Sequence, residues 1–173
     1  MELYNLTKDF SYGDIKHLLN STPYNLKVTD DETANIFMVN YKKSESDLTN
    51  NIVKECRGII MEKETNRVLC YTFDRKETPE NITEFLENNW NNLQFSESID
   101  GSQIKLYYHN DIWNIATTRC INAMDAYWYS NKSFETLFRE CHDLNYENLN
   151  IHYCYSFIIR HSENRIVTDY EEN

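Results

Sequence analysis

Alternating apolar and polar side chains predict a chain built mostly of strands, with a few helices between them. Helical spacing of apolar residues marks segments 11–21, 78–90 and 131–144. In the second of these, Thr78 is predicted to cap the helix and Pro79 to occupy its first position. Strand-like alternation marks segments 24–30, 34–41, 55–62, 67–73, 102–108, 112–118, 152–160 and 165–170. This order predicts an α+β fold, with a largely antiparallel sheet and flanking helices.

Size and composition predict one cytoplasmic domain spanning residues 1–173. The chain has no internal repeat and no Pro/Ser-rich linker. It also lacks the roughly 18 consecutive apolar residues that a membrane span requires, and its start, "MELYNLTKDF", does not resemble a signal peptide. Its five cysteines are scattered without C-x-x-C spacing, which is typical of reduced thiols in the cytoplasm. No membrane partner is expected.

The net charge restricts the ligands that the protein can hold. Lys and Arg number 17 against 28 Asp and Glu, giving a formal net charge of −11. Proteins that bind nucleic acids over a broad surface depend on many neutralised phosphates, and therefore carry basic surfaces. Any polyanion bound here must meet a local cluster of cations.

One of the three glycines, Gly101, lies in the stretch "QFSESIDGSQIKLYY". With so few glycines, this position suggests a backbone site where a side chain would be costly. Asp-Gly between two strand-like runs is typical of a hairpin turn. The same residues could also belong to a ligand-binding loop.

Three segments resemble the phage-type RNA ligase 1 family of covalent nucleotidyltransferases. They are "ECRGIIME" (55–62), "SIDGSQIKLYYHNDIWNIATTR" (98–119) and "FIIRHSENRIV" (157–167). The resemblance covers most of residues 35–170 and implies a truncated ligase-like fold. It also implies ATP and Mg as possible cofactors. In the family, a lysine that opens the motif K-x-D-G attacks the α-phosphate of ATP and forms a lysyl–AMP intermediate.

The chain departs from that family pattern at its chemical centre. Ser98 stands where the nucleophilic lysine belongs, and a serine alcohol cannot form the phosphoramidate. Lys105 is expected in the body of the next strand, poorly placed to replace the missing amine. Ile158 and Ser162 occupy the family's glutamate and proline positions, and the chain stops at Asn173 before the family's last motifs. The resemblance therefore implies a degenerate domain that cannot adenylylate itself, with no catalytic residue and no metal ligand assigned.

The residues that match the family's motifs are the candidate nucleotide- or RNA-binding residues. They are Arg57, Asp100, Gly101, Arg119, Asn164 and Arg165. Arginines commonly orient and neutralise phosphates through forked donors. Without the resemblance, the arginines would be read as surface residues or partners of carboxylates, and Asn164 as a residue that closes a turn.

Other side-chain groups point less clearly to function. Cys141-His142 and His152-x-Cys154 offer zinc ligand types, but their spacing points the ligands apart. The aromatic runs "AYWYS" and "LYYHNDIW" fit either a core or a base-stacking platform.

Three functions stay open from the sequence. The first is a degenerate RNA-ligase-like protein that binds a nucleotide, an RNA end or a partner protein. The second is an active ATP-dependent RNA ligase completed by another chain or segment, and the third is a scaffold without a nucleotide ligand. Because strands of the family's sheet are missing, exposed strand edges predict a homo-oligomer or a protein partner.

Overall fold

Two antiparallel sheets form the centre of the computed structural model, which describes residues 1–76, 79–164 and 167. The strand order is β1-β2-β3-β4 in the first sheet and β6-β5-β7 in the second. The strands are β1 (Lys27–Asp31), β2 (Ile36–Asn40), β3 (Arg57–Glu62), β4 (Val68–Cys70), β5 (Ser102–His109), β6 (Ile112–Thr117) and β7 (Tyr155–Ile159). The predicted α+β class with antiparallel pairing is confirmed.

Helices flank the sheets, and three of them, α2, α4 and α5, lie within the segments that the sequence predicts to be helical. They are α1 (Glu2–Thr7), α2 (Tyr12–Asn20), α3 (Asn51–Glu55), α4 (Ile82–Asn89) and α5 (Phe134–Glu140). Ser11 and Ser133 cap α2 and α5, their side chains accepting hydrogen bonds from backbone amides in the first turn. Helices α1 and α3 were not predicted, because six and five residues are too few to show a helical period.

The predicted start of α4 is wrong. The helix begins at Ile82 and not at Pro79, and the side chain of Asn81 caps it by accepting a hydrogen bond from the Glu84 amide. Asparagine caps helices at least as well as threonine, and Asn81 directly precedes the apolar stripe. Thr78 lies outside the described residues. So does the predicted strand 165–170, except for Val167.

The elements stack in four layers: helices, first sheet, second sheet, helix. Helices α1 to α3 pack on one face of β2 and β3, burying Leu3, Ile15 and Val53 against Phe37 and Ile59. The two sheets share a second buried cluster, formed by Ile36, Met38, Ile60, Cys70, Tyr107 and Ala116. Helix α5 covers the outer face of the second sheet through Leu137 and Phe138. Because β2 and β3 are covered on both faces, their side chains are apolar almost without alternation.

A β-bulge interrupts β3 at Gly58. In the pairing of β2 with β3, Val39 faces Ile59 and Asn40 faces Arg57, so Gly58 is an extra residue. Its φ of +79° lies in the left-handed region that favours glycine. Because of the bulge, Arg57 does not follow the regular pairing of the buried residues of β3. It lies at the start of the strand and is only half-buried.

The second sheet brings three strand ends together. Asn110 and Asp111, both with positive φ, form the two-residue turn that joins β5 to β6. Ile104 then pairs with Thr117, and Ser102 pairs with Ile159. The start of β5 and the ends of β6 and β7 therefore share one end of the sheet. Across the described ranges, no helix has both the length and the apolar character needed to cross a membrane.

Candidate functional site

An open cleft of about 640 Å³ lies where the ends of the two sheets meet. Its lining comes from β1, the end of β2 and the segment after it, the start of β3, and the turn after β6. The lining residues are Lys27, Asn40, Tyr41, Lys42, Lys43, Arg57, Thr118 and Arg119. Five of these are cations and none is Asp or Glu. The cleft is thus a local positive cluster in a chain of net charge −11.

Arg57 is held in the cleft by neutral partners. Its Nη1 donates a hydrogen bond of 2.9 Å to Oε1 of Gln103, and its guanidinium lies 4.6 Å from the centre of the Phe73 ring. Within the described ranges it forms no ion pair with a carboxylate. Its orientation is therefore fixed while its charge stays available to an anion.

The turn after β6 positions Arg119 at the same cleft. Oγ1 of Thr117 accepts hydrogen bonds from the amides of Arg119 (3.2 Å) and Cys120 (2.9 Å). The hydroxyl of Thr118 donates to Oε1 of Gln103 at 3.3 Å. Gln103 thus connects this turn to Arg57 across the two sheets. Two of the candidate residues from the sequence, Arg57 and Arg119, thus line the same cleft.

Three lysines extend the positive lining. Lys42 forms an ion pair of 2.8 Å with Glu45, and both side chains are solvent-exposed to a third or more. Such surface pairs contribute about 0–1 kcal/mol, so the pair leaves much of the lysine's charge effective. Lys27 and Lys43 have no carboxylate partner in the part of the chain that the structure describes. Together the cations can meet several negative charges on one ligand.

The other candidates from the sequence lie beside the cleft and not in its lining. Oδ2 of Asp100 accepts a hydrogen bond of 2.8 Å from the amide of Val167. Nδ2 of Asn164 donates to Oγ of Ser102 at 3.0 Å. These contacts tie the segment after β7 to the start of β5. Arg165 lies outside the described residues.

At Gly101 the backbone of another segment comes so close that a side chain would clash, as the scarcity of glycine in the chain suggested. A Cβ there would lie 2.3 Å from the carbonyl oxygen of Ile159. The hairpin interpretation of Asp100-Gly101 is wrong, because residues 93–101 form no strand and β5 pairs only with β6 and β7 in the described chain.

Ser98 and Lys105 differ sharply in environment. Ser98 is exposed in the irregular segment 93–101 and does not line the cleft. Lys105 lies within β5, as predicted, with its side chain fully buried and its ammonium donating to the carbonyl oxygen of Gly58. Burial lowers the pKa of Lys105 to about 8. The residue therefore lies beneath the bulge next to Arg57, inside the protein.

The possible zinc and stacking residues are dispersed. In the described chain no three His, Cys, Asp or Glu side chains come together as a metal site. Of the aromatic residues, Tyr107 is buried in the cluster between the sheets, whereas Tyr127, Trp128 and Tyr129 are more than half exposed. The core interpretation therefore holds in part for "LYYHNDIW", whereas the aromatic side chains of "AYWYS" lie outside the core.

Of the eight lining residues, only Arg57 and Arg119 were candidates from the sequence. Lys27, Lys42, Lys43 and Gln103 were not singled out, although Lys42-Lys43 is an adjacent basic pair in an acidic chain. That pair was the usable signal. Gln103 had none, because its role depends on how the two sheets meet.

Comparison with known proteins agrees with the resemblance at a coarse level. No protein-family model matches the chain. A protein of Autographa californica nuclear polyhedrosis virus, described as "Putative bifunctional polynucleotide kinase/RNA ligase", is 28% identical over 192 aligned residues. The alignment takes in 98% of this chain and 27% of that protein, so the chain spans about a quarter of its relative's length. The similarity supports an RNA-ligase-like relationship, and membership of the phage-type family stays a prediction.

Proposed function

We propose that this RNA-ligase-like protein binds a phosphate-bearing ligand, a nucleotide or an RNA end, in the cationic cleft without bonding to it covalently. The observation that carries the proposal is the convergence of Arg57 and Arg119 with three lysines in a lining free of carboxylates. The similarity to a putative polynucleotide kinase/RNA ligase makes a phosphorylated nucleotide or RNA terminus the natural anion.

The chemistry of the lining suits phosphate. A guanidinium offers a planar fork of donors to two phosphate oxygens, and Gln103 and Phe73 already fix the orientation of Arg57. A cleft of about 640 Å³ is within the range of sites for small ligands. The negative charge of the rest of the chain opposes binding along a long nucleic acid, which favours recognition of an end.

The proposed absence of a covalent step rests on Ser98, which stands at the nucleophile position that the resemblance implies, and on Lys105, the lysine in the strand that follows it. Ser98 offers an alcohol on an exposed segment, and no lining residue of the cleft activates it. Lys105 has a suitable amine, but its Nζ is buried and bound to the carbonyl of Gly58. The phosphate is therefore proposed to be held and not attacked.

The cleft fits the phosphates of ATP better than it fits Mg²⁺. Its cations can hold a triphosphate, while its lining supplies no carboxylate for a hard divalent cation, which prefers such oxygen ligands. The proposed binding therefore does not depend on Mg²⁺.

Ligand titration tests the binding step. Isothermal calorimetry and thermal shift are measured with AMP, ATP and a 5′-phosphorylated oligoribonucleotide, with adenosine and the 5′-hydroxyl oligonucleotide as controls. At 100 times its dissociation constant a bound ligand should stabilise the fold by about 2.7 kcal/mol. Binding of phosphorylated ligands and none by the controls supports the proposal. If none of the five ligands binds, the scaffold function is favoured.

Matched arginine variants locate the binding to the cleft. Arg57→Gln removes one charge-assisted contact and should weaken binding about 10- to 100-fold, since such bonds contribute about 1.5–3 kcal/mol. Arg67→Gln removes the same charge from an exposed arginine outside the cleft and should leave affinity nearly unchanged. Equal effects of the two variants would contradict the assignment of the cleft.

Incubation with α-labelled ATP and magnesium tests the absence of covalent chemistry. The wild-type protein should carry no label after denaturation. A labelled adduct would overturn this part of the proposal, and mapping it to Lys105 would favour the active ligase completed by another chain. Ser98→Lys serves as the comparison, because it returns an amine to the position that the resemblance assigns to the nucleophile.

A further inference from the structure

Gln103 connects three segments at the end of the second sheet. It is the second residue of β5 and is half-buried. Its Oε1 accepts hydrogen bonds from Nη1 of Arg57, at 2.9 Å, and from the Thr118 hydroxyl, at 3.3 Å. Its Nε2 donates a hydrogen bond of 2.8 Å to Oγ of Ser156. One amide therefore joins the start of β3, the turn after β6 and the strand β7.

The register of the second sheet explains why Gln103 reaches the first sheet. Side chains alternate along a strand, so Gln103, Lys105 and Tyr107 lie on the same face of β5. This face is turned toward the first sheet, because Tyr107 packs in the cluster that the two sheets share. Lys105 accordingly donates to the carbonyl oxygen of Gly58 in β3. Gln103 contacts Arg57, the residue just before Gly58, so its bond belongs to a regular contact between the sheets.

The partners of Gln103 fix the direction of its amide. A guanidinium has only donors, so the amide must turn its oxygen, and not its NH2 group, toward Arg57. The NH2 group then points to Ser156, whose hydroxyl oxygen accepts its hydrogen bond. The amide oxygen also holds Thr118, the residue before Arg119. Gln103 thus sets the position of one cleft arginine relative to the turn that carries the other.

The neutrality of Gln103 is the second feature of this arrangement. Asp and Glu outnumber Lys and Arg by 28 to 17 in the chain, yet the residue that orients Arg57 is an amide. A carboxylate would also accept from the guanidinium, but it would form an ion pair with it and oppose the approach of an anion. Gln103 therefore orients Arg57 without reducing the positive charge of the cleft.

We propose that Gln103 is a positioning residue for phosphate recognition, holding the Arg57 guanidinium beside the turn of Arg119 so that both arginines contact one terminal phosphate. This inference rests on the proposed function of the cleft. Gln103 is not among the residues that line the cleft, so it acts through the arginine. An arginine that is already oriented loses less side-chain freedom on binding, which corresponds to about a 2- to 10-fold gain in affinity.

Two variants of Gln103 separate the effect of orientation from the effect of charge. Each is titrated by calorimetry, at fixed salt, with one oligoribonucleotide prepared with a 5′-phosphate and with a 5′-hydroxyl. Gln103→Leu removes both contacts of the amide oxygen and should weaken binding of the phosphorylated form about 2- to 10-fold. Gln103→Glu keeps the shape and an acceptor for Arg57 but adds a negative charge, and it should weaken this binding about 10-fold or more.

A matched control and a stability measurement distinguish positioning from a purely structural role. Gln94→Glu, at the chain's other glutamine, adds the same charge on an exposed segment outside the cleft lining and should leave affinity nearly unchanged. In urea unfolding, Gln103→Glu should be at least as stable as Gln103→Leu, because its carboxylate can pair with Arg57, and yet it should bind the phosphorylated form more weakly. For a merely structural residue, the losses of binding would follow the losses of stability.

The preference for the 5′-phosphate decides the proposal. Circular dichroism reports whether each variant folds, and Gln103→Glu, which has the shape of the wild type, serves alone if Gln103→Leu does not fold. Loss of the preference in Gln103→Glu, with the preference kept in Gln94→Glu, is the expected result. Folded variants of Gln103 that keep the affinity and the preference of the wild type would overturn the proposal.

A double-variant cycle separates failure of this inference from failure of the proposed function. If the wild type itself shows no preference for the 5′-phosphate, the proposed function fails. The orientation of Arg57 by Gln103 is then judged from the urea midpoints of Arg57→Gln, Gln103→Leu and the variant that combines them. A combined shift smaller than the sum of the two single shifts supports that orientation, and additive shifts overturn it.

Discussion

Replacing Lys105 with methionine should change how the stability of the protein depends on pH. The side chain is fully buried, and its burial lowers the pKa of the ammonium from 10.5 to about 8. Between these two pH values the unfolded chain holds a proton at this site that the folded protein has already lost. The free energy of unfolding of the wild type should therefore gain a contribution that rises with pH across this window.

The size of the effect follows from the two pKa values. A difference of about 2.5 pH units, at 1.36 kcal/mol per unit, corresponds to about 3 kcal/mol. Below pH 8 the free energy of unfolding of the wild type is lower by this full amount. Lys105→Met has no ammonium at this position, so its free energy of unfolding is not lowered in this way. The variant also loses the hydrogen bond to the Gly58 carbonyl, but a neutral amine can still donate, so that loss depends little on pH. The free energy of unfolding of Lys105→Met minus that of the wild type should thus fall by about 3 kcal/mol from pH 8 to 10.5.

Urea unfolding under reducing conditions measures this difference at several pH values. Burial raises the pKa of Cys56 and Tyr107 in both proteins, so their opposite contributions at alkaline pH largely cancel in the comparison. Lys8→Met, at an exposed lysine, reports the effect of removing one positive charge from the surface. A difference between Lys105→Met and wild type that stays constant from pH 8 to 10 would refute the assignment of a buried, easily deprotonated amine.

Three further predictions concern the fold and its edges. Gly58→Ala should destabilise the protein by about 3 kcal/mol in urea unfolding, because its Cβ would lie 2.3 Å from the Thr118 carbonyl oxygen at a positive φ. Gly13→Ala, in the open first turn of α2, should instead stabilise by about 0.5–1 kcal/mol, and equal losses at both sites would contradict the bulge. Asn66→Ala should cost about 3 kcal/mol, because the Nδ2 of this buried residue donates to the carbonyl oxygens of Thr7, at the end of α1, and of Lys8 and Phe10, before α2; a loss under 1 kcal/mol would contradict that role. Since β7 pairs only with β5 in the described chain, light scattering at high concentration should show a homodimer or larger species, and a strict monomer would count against this expectation.

The periodicity of the sequence identified elements with strong local signals. Helix α2 and the β5–β6 hairpin were predictable because capping, turn residues and alternation agree within each segment. The start of α4 was misjudged because two good capping residues, Thr78 and Asn81, precede the same apolar stripe. Helices α1 and α3 gave too short a pattern. Their stability comes from packing on β2 and β3, which no local signal reports.

The candidate site was predictable only where a motif carried it. Arg57 and Arg119 were identified through the resemblance, and the structure brings them to one cleft. Lys27 is far from both in sequence. The register of β1, β2 and β3 brings it near Arg57, since Asn40 pairs with both residues, and the meeting of the sheets brings it to Arg119. The hydrogen bond from the buried Lys105 amine to the Gly58 carbonyl likewise depends on packing between the sheets. Such tertiary contacts leave no trace in hydrophobic periodicity.

Affinity for a single terminal phosphate tests the central proposal most directly. One oligoribonucleotide, prepared with a 5′-phosphate and with a 5′-hydroxyl, is titrated by calorimetry into the wild type and into Arg57→Gln at fixed salt. Tighter binding of the phosphorylated form by the wild type, with that preference lost in Arg57→Gln, is the predicted result. Equal affinity of the wild type for both forms would contradict a cleft built to hold phosphate.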